Sequence, residues 1–440
     1  MVTTSVPVRR AGFVSAATVA WLIASLFYFY QYLLRSAPSV MTPQLALAFG
    51  VSTVALTSLL GLFYTGYGVF SLVAGVAVDQ LGPRKLMALG AALVGVGALL
   101  FATGNATLAS CGRFLQGAAG VFAFIGAAYV ASAYFPPSRA ATLIGGTQMI
   151  GMAGGSAGQF LVGPAMTAGM PWAQFWIAGG VAGLALAALL LALTPERSPA
   201  PTPVKPARDR WAWAGEAWAA IVAVSRNPQS ILCGLVTGLL FAPTNIFDMV
   251  WGVRFLQDAH DMPYTMAVMR SASVPLGWII GCPLFGTLSD RAGRRKPFIM
   301  AGAAGLLVCL VLILFAPRGM FPPFSLGLLA GVASGAAMLP YTVVKEANRP
   351  EHGGTATGVV NFIAFSMSAL LGPVFGRLLM RASGGGDLEL RHFQEAFAPM
   401  IAGVGLAIVL ALFLKETGSA SRPHAEAAND GVPNQGGSPR

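Results

Sequence analysis

Charge is what this chain has least of. Only 10% of its 440 residues are Asp, Glu, Lys or Arg, against about 25% in a soluble domain. Histidine and cysteine are rarer still, with four of each. His260, His352, His392 and His424 fall in expected loops or tails, with no nucleophile or metal-spacing partner. Cys111, Cys233, Cys282 and Cys309 lie inside apolar runs without a Cys-x-x-Cys or Cys/His spacing, so they read as small packing residues. No glycine-rich phosphate loop occurs. These absences leave no catalytic residue, metal ligand or cofactor to name, and an enzyme is not expected. A net charge of +11 would suggest nucleic acid in a soluble protein. With 55% hydrophobic residues and a mean hydropathy of +0.69, no nucleic-acid partner is expected. The partner is instead a lipid bilayer, on whose cytoplasmic side loops collect Lys and Arg.

Apolar runs of about 20 residues, each long enough to cross ~30 Å of hydrocarbon, recur along the whole chain. Twelve spans are expected near 15–46, 53–78, 86–104, 109–134, 142–166, 173–194, 229–257, 264–288, 298–316, 323–345, 355–381 and 395–415. The first is longer than one straight crossing needs, and Pro38 and Pro43 predict a bend at its outer end. Pro243 interrupts the seventh, also long. No small-residue cleavage site follows the apolar stretch after Arg9-Arg10, so it reads as a retained span and not a signal peptide. Twelve spans put both termini on one side. The N-terminus, the even-to-odd loops and the tail hold 19 of the 27 basic residues. The positive-inside rule then makes both termini cytoplasmic.

Between spans six and seven, Pro195 to Pro206 is too rich in proline to be helical. Trp211 to Arg226 is amphipathic, and Trp211, Trp213 and Trp218 can rest at a membrane surface. The same stretch reads equally well as a plain connector. The expected organisation is a six-helix bundle over 1–194, a cytoplasmic linker over 195–228, a second bundle over 229–416 and a disordered tail over 417–440.

An internal repeat supports two bundles. The densest charge cluster, Gly286-Thr-Leu-Ser-Asp290-Arg291-Ala-Gly293-Arg294-Arg295-Lys296, has a counterpart in Gly75-Val-Ala-Val-Asp79-Gln-Leu-Gly82-Pro-Arg84-Lys85. The two aspartates are 211 residues apart, close to half the chain. A second pair, Thr142-Leu-Ile-Gly145 and Thr355-Ala-Thr-Gly358, follows spans four and ten at an offset of 213. Halves related in this way are what a duplicated transporter bundle looks like. In each loop an acid sits at a helix C-terminus, which the helix dipole disfavours by roughly 0.3–1 kcal/mol. Asp79 and Asp290 therefore need partners: Arg84 or Lys85 for the first, Arg291, Arg294 or Arg295 for the second, or a helix N-terminus of the other half. A contact of this kind can hold one side closed and break when the halves rock.

These motifs resemble the major facilitator superfamily over residues 10–416. The second loop matches the family's Gly-x-x-x-Asp-Arg-x-Gly-Arg-Arg pattern at every fixed position; the first departs from it at Gln80 and Pro83. Gly112-Arg113-Phe-Leu-Gln116-Gly117 is similar to the family's Arg-x-x-Gln-Gly element. The resemblance implies an all-α membrane protein, twelve transmembrane helices in two pseudo-symmetric bundles. It assigns Gly75, Asp79, Gly82, Arg84, Gly286, Asp290, Arg291, Gly293 and Arg294 to a cytoplasmic gate, and gives Arg113 a part in coupling or in orienting helix four.

An ionisable group in hydrocarbon costs at least ~2.5–3.5 kcal/mol, so each one there is a functional candidate. Arg35 lies in Tyr28-Phe-Tyr30-Gln31-Tyr32-Leu-Leu-Arg35, where aromatics and one cation follow one helix. The segment resembles the first helix of the organic-anion and organophosphate branch, in which an Arg at this position binds the anionic group. A guanidinium suits this task because it forks around carboxylate or phosphate and stays charged. Tyr28, Gln31 and Tyr32 join Arg35 as candidate binding residues, as do Asn245 and Asn361. If span one ends early, Arg35 snorkels to the outer interface instead. Asp248 in span seven is expected at about Arg35's depth, pairing with it or carrying a coupling proton. Its alternative is a pair with nearby Arg254. Span five is dense in glycine but has Gly158-Gln159 where the family's antiporters place Gly-Pro, which argues against drug/proton antiport.

The resulting expectation is a monomeric secondary transporter in the cell inner membrane. It moves a small anionic organic solute by alternating access with proton symport, driven by protons or another coupling ion. Drug efflux is the alternative within transport. A sensor that keeps the fold without transporting is the alternative outside it.

Overall fold

The computed structural model describes residues 16–135, 137–196, 210–317, 320, 322–349 and 352–418. The expectations for residues 197–209 of the linker and for the tail beyond Gly418 lie outside these, as does the side chain of Asp79. The described residues are helical almost throughout, with no strand among them. Among the described residues, eleven helices are long and apolar enough to cross a membrane. The twelfth, span five, is Pro137–Phe160. It falls short on hydropathy because Gly, Ser, Thr and Gln replace the usual Leu and Val. Its glycines serve packing instead: a Cβ on Gly154 would lie 2.1 Å from the Phe29 carbonyl oxygen, so only glycine lets span one approach this closely.

Two compact units are present, Met1–Ala217 and Trp218–Arg440. Within the first, span one is Ala16–Val40, span two Thr53–Leu81, span three Pro83–Ala102, span four Ala106–Tyr134 and span six Trp172–Leu193. Spans one and five pack together, as do two and four, three and four, and three and six. Within the second unit, span seven is Pro228–His260, eight Tyr264–Ala292, nine Lys296–Phe315, ten Pro323–Glu346, eleven Gly353–Ser383 and twelve Leu390–Leu412. Its strongest contacts are seven with eleven, eight with ten, nine with ten and nine with twelve. Adding six to each number of the first set produces the second. The duplication read from two loops thus extends to the packing of every helix.

Helix ends follow local chemistry. Asn105 caps span four by accepting from the Thr107 and Leu108 amides at 2.9 and 3.0 Å. Asn227 does the same for span seven through the Gln229 amide at 3.0 Å, with Pro228 at the first helical position. The expected first span of 15–46 is shorter. Its α-helix ends at Ser36, Pro38 lies in a 3-10 turn over Ala37–Val40, and Pro43 helps to start a separate helix, Thr42–Phe49. Proline removes the amide that the preceding turn needs. At Pro243 the same loss has another outcome. The chain widens into a π-helical stretch over Pro243–Trp251, which carries both Asn245 and Asp248. The amphipathic stretch forms the helix Arg210–Ser225, with Trp218 67% exposed.

Candidate functional site

In the N-terminal unit span one brings Tyr28, Gln31, Tyr32 and Arg35 onto its buried face at i, i+3, i+4 and i+7 spacing. Arg35 is only 2% exposed, so it does not snorkel to an interface. Its guanidinium carbon lies 4.8 Å from the Tyr32 ring centre, 5.0 Å from Tyr64 and 5.5 Å from Phe63. A second buried cation, Arg113 of span four, lies 5.1 Å from the same Phe63 ring and 5.9 Å from Phe101. Its Nη1 donates to Gln116 Oε1 at 2.8 Å and to the Leu34 carbonyl at 3.3 Å. Phe63 is thus shared by two guanidiniums, an arrangement that its position in an apolar run does not advertise. Gly117 makes it possible: a Cβ there would stand 1.9 Å from the Phe63 carbonyl oxygen.

Each cation–π contact contributes about 0.5–2 kcal/mol, whereas burying an ion costs several kcal/mol. The aromatics therefore offset only part of the cost. The sequence from 16 to 193 contains one acid, Asp79. Asp79 lies 15 residues beyond Tyr64 on span two, about 22 Å along a helix. The interior of this bundle thus has a surplus of positive charge. Beside it, Gln31 is 1% exposed, and neither of its amide atoms has a hydrogen-bond partner among the described residues. Tyr28 donates to Gln148 Oε1 at 3.1 Å and stacks edge-on against Tyr32.

In the C-terminal unit the buried charge is negative. Asp248 is 3% exposed, and its Oδ1 accepts from Ser271 Oγ of span eight at 3.1 Å. The alternative pair with Arg254 is not formed: Arg254 Nε bonds Asp258 one turn further on, at 2.8 Å. Arg270 is half-buried and donates to Met262 Sδ at 2.8 Å. Asn245 Nδ2 donates to Ser368 at 2.9 Å, and Asn361 accepts from Tyr341. Both candidate asparagines thus join helices within their own unit.

The charged loops carry one expected partner, Arg295 on Asp290, and two acids after spans six and twelve that sequence reasoning missed. Asp290 meets Arg295, while Arg291 and Arg294 are exposed. Arg295 also reaches Glu346 at 3.1 Å, which places Glu346 in an anchor beside Lys345 at the end of span ten. Burial works against the Arg295 charge, but the pairs with Glu346 and Asp290 outweigh it and hold its pKa above the ordinary value. Gly293 turns the chain through the left-handed region at φ 62°. Span nine starts without a cap from its own chain neighbours. Glu416, after span twelve, accepts from the Arg295 and Lys296 amides at 2.6 and 3.3 Å. In the first loop Arg84 pairs not with a neighbour but with Glu196, after span six, at 3.1 Å, and bonds the Leu191 carbonyl at 2.6 Å. Glu196 and Glu416 are 220 residues apart, against the 211–213 of the loop repeat, so the offset alone does not pair them.

Comparison with known proteins agrees with this fold. A family model for the Major Facilitator Superfamily matches residues 24–373. The membrane sensor protein UhpC of Salmonella typhimurium is 26% identical over 420 residues, covering 89% of each chain. Crystal structures of a bacterial homolog to the human lysosomal transporter Spinster, inward-facing, superpose with TM-scores of 0.63 unoccupied and 0.65 occupied. At 16% and 17% identity, over 92% of this chain and 96% and 97% of theirs, they share its fold.

Proposed function

Since the chain belongs to the Major Facilitator Superfamily, we propose that it is a secondary transporter of a small anionic organic solute, with Arg35 as the principal anion ligand. One observation carries this reading: a guanidinium 2% exposed among three aromatic rings, in a bundle whose spans hold two buried arginines and one distant acid. A carboxylate or phosphate ester satisfies that surplus, because charge-assisted pairs with Arg are bidentate and strong. Gln31 and Tyr32, one turn away, supply further polar contacts, and the orphan amide of Gln31 is explained if a solute completes it. Arg113 steadies the nest by sharing Phe63 and by holding the span-one carbonyl of Leu34.

Asp248 is the coupling group of this reading. A buried carboxyl that accepts from the Ser271 hydroxyl can carry a proton through the cycle, so symport with protons under an ion-motive force is the mode proposed. The charged loops act as gates of an alternating-access cycle on the cytoplasmic face of the inner membrane, where both termini lie and where Lys and Arg concentrate. The protein acts as a monomer.

Uptake into proteoliposomes under an imposed pH gradient tests this, with a panel of carboxylates, phosphate esters and peptides. Accumulation of an anionic member, lost in Arg35→Ala, is the expected result. Similarity to a membrane sensor favours one other reading, a receptor that binds the same anion without moving it. Saturable binding with no uptake of any panel member in either direction identifies that case.

A further inference from the structure

Spans seven to ten of the C-terminal unit enclose a cavity of about 370 Å³ that the anion site does not use. Its walls are apolar, with Phe247, Phe255, Leu306, Leu310 and Leu326 all buried. Asp248 and Ser271 line its interior, and His260, Met262 and Arg270 also border it. Depth follows from the chain. Asp248 precedes His260 by 12 residues of span seven, up to about 18 Å of helix. His260 and Met262 belong to the turn that leads into span eight, next to the exposed Pro317 and Pro322. This end is therefore the mouth, and the carboxylate lies deep. Arg270 turns toward the mouth as well, since its Nη1 bonds Met262 Sδ.

Three features restrict what fits. The volume is that of a site for a small organic molecule. Apolar walls exclude sugars and other strongly hydrated solutes, whose hydroxyls would lose water without replacement. The deep charge is an acid, with the hydroxyls of Thr244, Ser271 and Ser334 the other polar groups among the buried lining residues, and a buried carboxylate is costly unless a cation meets it. One ammonium leading an alkyl or aryl body satisfies both walls and acid. Arg270 at the mouth disfavours a second positive charge.

The geometry points to a binding site in this unit for a monocationic apolar amine, with its ammonium on Asp248 and its hydrocarbon body along Phe247, Phe255 and Leu310. Such a ligand is opposite in charge to the proposed solute and shares no lining residue with Arg35. With Asp248 occupied, the amine blocks proton uptake there, so it inhibits pH-driven accumulation without competing for the anion site.

The test uses full-length protein in lipid nanodiscs, with empty nanodiscs as the baseline for partitioning. Equilibrium dialysis measures binding of 4-phenylbutylammonium, 4-phenylbutanol and 4-phenylbutyrate, which share a body and differ in charge. Saturable amine binding at one site per chain, at least tenfold tighter than the alcohol or the carboxylate, is expected. Asp248→Asn lowers the amine affinity at least tenfold. Ile313→Trp, on the cavity wall, abolishes amine binding while anion uptake persists. Equal binding of the three probes overturns the proposal, and so does amine binding unchanged in Ile313→Trp. If a variant does not fold, the three-probe comparison on the unaltered chain decides alone. The readout is binding of an amine, so its failure leaves the anion-transport reading intact, and absence of anion uptake leaves this one intact.

Discussion

Spans one and four of the N-terminal unit bury two guanidiniums around one phenylalanine ring, whereas span seven of the C-terminal unit buries a carboxylate beside a serine. Helix pairing is the same in both units, so the difference lies in side chains and not in the frame. The frame is set by what every span must do: bury an apolar stripe and approach its neighbours through small residues. The interior charges differ although each bonds a neighbouring helix, Arg113 to the Leu34 carbonyl of span one and Asp248 to Ser271 of span eight. In the N-terminal unit aromatic faces lower the cost of the cations, and in the C-terminal unit a π-helical stretch and one hydroxyl serve the acid. A duplicated fold of this kind can specialise one half for holding an anion and the other for holding a proton.

The comparison is broken most completely by removing the positive half. Arg35→Ala is expected to lower anion uptake at least a hundredfold. Arg35→Lys is expected to lower it at least tenfold, because an ammonium keeps the charge and loses the fork. Initial uptake rates in proteoliposomes check both. Gly117→Ala comes next. A Cβ 1.9 Å from the Phe63 carbonyl forces spans two and four apart, and a loss of about 1–3 kcal/mol is expected for such overpacking, visible as a lower unfolding midpoint. Asp248→Asn sharpens the other side: pH-driven accumulation is abolished, while exchange of labelled for unlabelled anion down its gradient survives. Loss of both together removes Asp248 from the coupling role.

Much of this was legible in the residues, for physical reasons. Span number followed from apolar runs, and the duplication from loops in which an acid at a helix end demands cations. Arg35 and Asp248 were legible because ionisable groups in hydrocarbon are costly. Phe63 and Tyr64 were not, since an aromatic in an apolar span is indistinguishable from core until a cation is seen on its face. Ser271 was hidden for a similar reason: it looks like one of many small helix-packing residues. The gate partners needed distance information. Glu196 and Glu416 reach loops distant in sequence: Glu196 is 112 residues from Arg84, and Glu416 is 120 and 121 residues from Lys296 and Arg295.

The smallest effects are expected in those loops, and they too are unequal. Arg84→Ala removes a half-exposed pair with Glu196 and should change stability by about 0–1 kcal/mol. Arg295→Ala removes contacts to Asp290, Glu346 and Ser289 together and should cost more. Glu416→Ala, which leaves the Arg295 and Lys296 amides without their cap, should cost about 0.5–2 kcal/mol. Thermal midpoints of the three variants, ranked against the unaltered chain, check the order.

The central claim is that the buried cations of the N-terminal unit form an anion site. It is tested most directly by ligand-induced thermal shifts of the purified protein across the carboxylate and phosphate-ester panel, repeated with Arg35→Ala. The account predicts at least one anion that raises the unfolding midpoint of the unaltered protein and leaves that of the variant unmoved. Equal shifts in the two proteins for every stabilising anion would contradict it.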